Sequence, residues 1–247
     1  LDVSARTLTE YVLYRSLIIK KLRALSDNDL EAKVHDLIVP RGSLLSGHEI
    51  VESLYSNNAW LLDDKFMSFR TILSEAEMKK VVAAITLSST ENQQAGETRP
   101  DISMIFSADP TNVGKVDVVI VEVKRKRDND KENTFAAVQL LQRARKLIDF
   151  CPNIQRAWYF GIIKINEELE QFLRDDEWTP LYSKGKVFYR DRMLERPGRP
   201  PVPVPLCLLS FDAVVEDAAA RNHTFLEILR GEIMRKSKED EKTEGRR

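Results

Sequence analysis

Cysteine is scarce: the 247 residues hold two, Cys151 and Cys207. Both lie in apolar surroundings without CxxC or Cys/His metal spacing, which argues against a disulfide framework or a zinc site and suggests a reduced, cytoplasmic protein. No stretch approaches the ~18 consecutive apolar residues of a membrane span, and no basic segment leads into an apolar core as in a signal peptide. Neither sign of charge is in excess, since 38 Lys and Arg face 39 Asp and Glu, for a formal net charge of -1. No global positive field therefore advertises nucleic acid, and any such contact must come from a local patch. Internal repeats are absent as well. The chain opens at Leu1 inside an amphipathic pattern, which suggests one piece of a longer polypeptide.

What is present is periodic. Leu8, Tyr11, Val12, Tyr14, Ile18, Ile19 and Leu22 recur at helical spacing from Thr7 to about Leu25. Ser26-Asp27 can cap a second helix through Leu30, Val34, Leu37 and Ile38, which Pro40 ends, so a helical hairpin is expected. Ser43 to Asn58 reads as turns, Ala59 to Leu62 as a short apolar run, and Phe66–Leu73 and Glu75–Leu87 as two more helices. After the loop Ser88–Thr98 the period falls to two at Ile102, Met104 and Phe106, followed by turn residues from Asp109 to Gly114. Val116 to Val123 returns as a strand apolar on both faces apart from Asp117 and Glu122. A helix from about Asn133 to Asp149, a strand from Ala157 to Ile163 and a helix from Asn166 to Arg174 follow, then short strands at Thr179–Tyr182 and Val187–Tyr189. Arg196 to Pro205 reads as an irregular proline-rich connector, Leu206–Ser210 as a strand and Phe211 to about Ile233 as a long helix. The expected fold is α/β, a mixed central β-sheet flanked by helices with an N-terminal helical subdomain. Its divisions are 1–95 for the helical part, 96–234 for the core and 235–247 for a charged tail unable to fold.

Hydrolysing a phosphodiester with a hard cation needs carboxylates to hold Mg2+, a cation to stabilise charge and an activated water. Asp101, Glu122 and Lys124 supply these groups. Folding the two strands about a midpoint at Thr111–Asn112 brings Asp101 opposite Glu122, and like charges so paired call for a cation between them. Glu122 and Lys124 are two apart on one strand and share a face, whereas Asp117 falls on the other face and is left out. The run Lys124-Arg125-Lys126-Arg127 offers a local patch for a phosphate backbone, with Arg125, Lys126 and Arg127 as candidate contacts; its bland reading is a solvated strand-to-loop junction. Trp158, Tyr159 and Phe160 read as core rather than as a base-stacking platform.

Arg99-Pro100-Asp101 and Val119-Ile120-Val121-Glu122-Val123-Lys124, with Gln139 on the next helix, resemble the PD-(D/E)XK nuclease superfamily, and so the restriction-endonuclease-like fold. The resemblance implies that the Asp101 and Glu122 carboxylates and the Val123 carbonyl hold Mg2+, with Mn2+ able to substitute. It implies that Lys124 activates or orients the water, that Gln139 belongs to the catalytic set, and that a glutamate from a preceding helix adds a ligand. Glu31, one turn before His35, matches that position best and Glu10 less well. The alternatives are a solvated Glu31, a core or capping His35 and an ordinary polar Gln139.

Three further stretches, Val34 to Pro40, Asn58 to Asp64 and Ser210-Phe211-Asp212, resemble the C-terminal regions of bacterial ATPases with a chaperone/gyrase-type (GHKL) head. That resemblance implies a missing ATPase head and an effector in antiphage defence. The expected activity is endonucleolytic rather than exonucleolytic, on DNA rather than RNA, with a homodimer as one possible assembly and no membrane partner. The rivals are a catalytically silent nucleic-acid- or protein-binding module and a dimerisation element.

Overall fold

Val118-Val119-Ile120-Val121 is apolar on both faces, and only a strand covered from both sides can bury such a run. The computed structural model describes residues 3–26, 31–46, 55–106, 115–124, 130–196 and 198–244, and in it this run lies at the middle of an eight-stranded mixed sheet. The strands are β1 Leu44–Ser46, β2 Thr71–Ser74, β3 Ile102–Phe106, β4 Val116–Val123, β5 Ile154–Ile163, β6 Thr179–Leu181, β7 Val187–Arg196 and β8 Arg199–Ser210. They lie in the order β1-β2-β3-β4-β5-β8-β7-β6, parallel at β4/β5 and β5/β8 and antiparallel elsewhere.

The α-helices of the described residues are α1 Val3–Arg23, α2 Glu31–Ile38, α3 Met78–Thr86, α4 Asp130–Phe150, α5 Glu167–Asp175 and α6 Phe211–Glu244. They cover the sheet in two layers, dividing β4 by parity. Val116, Val118 and Ile120 pack with Val81 and Ile85 of α3, Leu140 and Leu147 of α4 and Leu169 of α5. Val119, Val121 and Val123 pack on the other side with Ile18 of α1, Val34 and Ile38 of α2 and Val214 of α6. Phe66 meets Trp158 and Phe160 in this second layer, each at 5.8 Å, so those rings are packing groups as expected.

The first 95 residues supply more than helices, because β1 and β2 extend the same sheet through β3. No sheet boundary separates them from the core. The helix expected over Phe66–Leu73 is instead a 3-10 turn, Asp64–Met67, followed by β2. Asp63 caps the turn by accepting from the Lys65 amide at 3.0 Å, and Ile72 is fully buried opposite Met104. Pairing with β3 overrides local periodicity there.

The proline-rich connector is also a strand. Pro201, Pro203 and Pro205 recur at every second residue of β8, so their missing N–H groups all lack on the same side. β8 pairs with β7 from Arg199 onward but meets β5 only from Leu206, so among the described residues no strand pairs with that side over the prolines. Finally, α6 runs to Glu244, into the segment expected not to fold. Lys, Arg and Glu are good helix formers, so continuing an existing helix demands no burial.

Two of the stretches that suggested a GHKL-type relative have structural work. The Asn58 side chain donates to Leu37 O at 2.9 Å and accepts from Trp60 Nε1 at 3.1 Å, tying the end of α2 to the Trp60 turn. Ser210 Oγ accepts from the Ala213 amide at 3.2 Å and so caps α6.

Candidate active site

The β3/β4 register pairs Ile102 with Val121, which puts Asp101 opposite Glu122 and Pro100 opposite Val123 one and two steps further on. The sequence arithmetic on the hairpin therefore holds, although the turn at 109–114 lies outside the described residues. Parity sends the Glu122 side chain to the α4 layer, together with Lys124, while Asp117 points to the opposite layer and pairs there with Arg156 at 2.5 Å.

At this end of the sheet the antiparallel ladder stops for a chemical reason. Proline has no N–H, so Pro100 cannot donate to the Val123 carbonyl across the strands. The Val123 amide, which a continued ladder would direct to the Pro100 carbonyl, donates to Asp101 Oδ2 at 2.6 Å. This bond bends the Asp101 side chain toward the residue lying between Glu122 and Lys124. The Asp101 carbonyl accepts from the Glu75 amide at 2.8 Å and lies 3.0 Å from His35 Nε2. His35 is buried, with Ser74 Oγ 3.4 Å from the same nitrogen. On the other strand the Lys124 amide donates to Ile162 O at 2.9 Å, which keeps the end of β4 in the sheet.

Glu122 is only 1% exposed, and it does not stand alone. Arg143 of α4 donates from Nε to Glu122 Oε1 at 3.0 Å and from Nη2 to the Arg99 carbonyl at 3.1 Å. Burial and then the neighbouring Asp101 charge push the Glu122 carboxyl up to about 7, against the pull of Arg143 and Lys124. Burial likewise raises Asp101, opposed first by the Val123 amide and then by the charges of Lys124, His35 and Arg143. The two carboxyls thus sit in a shared, poorly solvated field that a cation would relieve.

The structure brings Asp101, Glu122, Val123 and Lys124 together at the junction of β3 and β4. Gln139 stands one helical turn before Arg143, on the same face of α4, and its buried Oε1 finds no hydrogen-bond partner. Glu31 forms no metal-holding group with Asp101 and Glu122. It opens α2, whose Val34 and Ile38 pack in the opposite layer, and His35 of the same helix touches the strand end. Glu10 pairs with Arg6 on the exposed surface of α1. Arg125, Lys126 and Arg127 lie outside the described residues.

Sequence reading missed Arg143 and the contact made by His35. Arg143 had a signal: it interrupts the apolar stripe Ala136, Leu140, Ala144 and Leu147, where a buried cation needs a buried acid. His35 had none beyond its position one turn after Glu31.

Among the described residues no group of three or more His, Cys, Asp or Glu is placed to hold a metal ion. The donor set that remains is two carboxylates and one carbonyl, all oxygen, which suits a hard cation that keeps several waters. The carbonyl that Pro100 cannot pair and the raised carboxyls fit such an ion. Comparison with known proteins finds no matching family model, no matching curated protein and no matching solved structure. None of the described helices is long and apolar enough to cross a membrane.

Proposed function

We propose that this chain is a metal-dependent nuclease that hydrolyses phosphodiester bonds, with DNA as the preferred substrate and endonucleolytic cleavage as the mode. The observation that carries the reading is the convergence of Asp101, Glu122 and Lys124 at one strand end, beside a carbonyl left without its ladder partner. Asp101 and Glu122 with the Val123 carbonyl would hold Mg2+, or Mn2+ in its place. When bound, the ion would supply charge stabilisation to the phosphate and acidity to a water.

The chain's own groups have definite tasks in this scheme. Asp101 is oriented by the Val123 amide, and its backbone is fixed by Glu75 and His35. Lys124 shares the face of Glu122 and offers an ammonium to orient the attacking water or a phosphate oxygen. Gln139 brings an unpartnered carbonyl oxygen that can accept from that water. No covalent intermediate with the protein is required.

A second reading has an observation of its own. Arg143 already forms a buried ion pair with Glu122, in the place of one contact that a bound cation would make. A catalytically silent module that binds nucleic acid or protein would use the pair in this way, with an N-terminal ATPase head or a second copy as its partner. Incubation with supercoiled plasmid, linear duplex and single-stranded DNA in Mg2+ or Mn2+, against EDTA, separates the two. Cation-dependent cutting supports the nuclease. Tight Mn2+ binding without cutting, or no binding at all, supports the silent module.

A further inference from the structure

Asp101 and Glu122 sit on different strands, and the ladder between those strands ends one residue short of them, at the pair Ile102 and Val121. Something else must set the distance between the two carboxyls. Asp101 is fixed to β4 by the Val123 amide, whereas the Glu122 side chain extends into the α4 layer, where Arg143 is its hydrogen-bond partner among the described residues. That same guanidinium reaches the Arg99 carbonyl, two residues before Asp101 on the lead-in to β3.

We propose that Arg143 is a positioning residue of the carboxylate pair: one planar guanidinium, gripping Glu122 with Nε and the backbone before Asp101 with Nη2, fixes how far apart the two carboxyls stand. This rests on the nuclease reading and extends it to a residue of the covering helix. The two bonds, 3.0 Å and 3.1 Å, come from different nitrogens of one rigid group, so moving either strand end breaks one of them. Burial makes the device stiff. The Arg143 side chain is 9% exposed and that of Glu122 2%, so water hardly competes for the bond between them, while the bond to the Arg99 carbonyl is part-buried. Lysine carries the same charge at one atom on a flexible stem and cannot hold two acceptors in a fixed geometry. The function of Arg143 is therefore in its fork, not in its charge alone.

The test compares wild-type chain with Arg143→Lys and Arg143→Gln, the latter neutral and short. Folding is followed by circular dichroism, Mn2+ affinity by calorimetry, and cleavage through kcat and KM separately. Arg143→Lys is expected to fold, to bind Mn2+ about tenfold more weakly, and to lose about tenfold in kcat with KM for DNA held. Arg143→Gln is expected to lose at least as much. A lysine variant equal to wild type in Mn2+ affinity and kcat overturns the proposal, because charge alone then suffices. Failure of both variants to fold overturns it too and assigns Arg143 to the scaffold. A wild-type chain that neither binds Mn2+ nor cuts overturns the nuclease reading along with it, whereas wild-type activity combined with an indifferent lysine variant removes only the role of Arg143.

Discussion

Asp101 Oδ2 accepts a 2.6 Å hydrogen bond from the Val123 amide, so the carboxylate of one strand is oriented by the backbone between the two functional side chains of the next. Pro100, which has no N–H, leaves the carbonyl of that same Val123 without its ladder donor. Replacing it with alanine restores an N–H opposite the Val123 carbonyl and lets the ladder run one pair further. Pro100→Ala should weaken Mn2+ binding about tenfold without lowering the melting temperature. Calorimetry checks this, and an unchanged affinity would show that the Val123 carbonyl is not a ligand.

The raised Glu122 carboxyl has a consequence for stability with a definite sign. Its value rises from 4.5 to about 7 on folding, so the folded chain takes up this proton more readily than the unfolded one. Stability from this group is complete below about 4.5 and is lost as pH climbs toward about 7. Metal-free wild type should lose thermal stability across that window relative to Glu122→Gln, whose melting curve lacks the slope. Metal binding requires the deprotonated form, so Mn2+ affinity should rise through the same window and millimolar Mn2+ should flatten the slope. Parallel pH profiles for the two proteins would contradict the assignment.

His35 reaches the site from the layer opposite Arg143 and is 2% exposed. Truncating it leaves a cavity beside Ser74 and removes one contact from the Asp101 carbonyl, while the Glu75 amide remains. His35→Ala should cost about 2 kcal/mol in a urea titration. Cleavage should slow about tenfold because the backbone of Asp101 is held from one side only. A variant that is destabilised yet fully active would reduce His35 to a packing residue.

How far the sequence could be read depended on which force decided each element. β4 and the hairpin register were legible because the unbroken apolar run from Val118 to Val121 and the turn residues before it leave one arrangement, and with it the meeting of Asp101 and Glu122. β2 and the first half of β8 were not. Ile72 and Leu73 have a helix-compatible pattern, and their strand exists because β3 offers it an edge. The prolines of β8 forbid a central strand by local rules, yet β5 begins to pair only after the last of them. In the site the same division appears. Residues on the hairpin were found by spacing along the chain, whereas Arg143 and His35 arrive from helices in opposite layers, and only the packing of those helices brings them there.

The measurement that tests the nuclease most directly is cleavage of supercoiled plasmid by Lys124→Ala beside wild type, with Mn2+ binding followed on both. Lys124 holds neither strand by its side chain in this reading, so the variant should fold and bind Mn2+ while cutting is lost. Wild-type cutting that persists in Lys124→Ala, or in EDTA, would contradict the account.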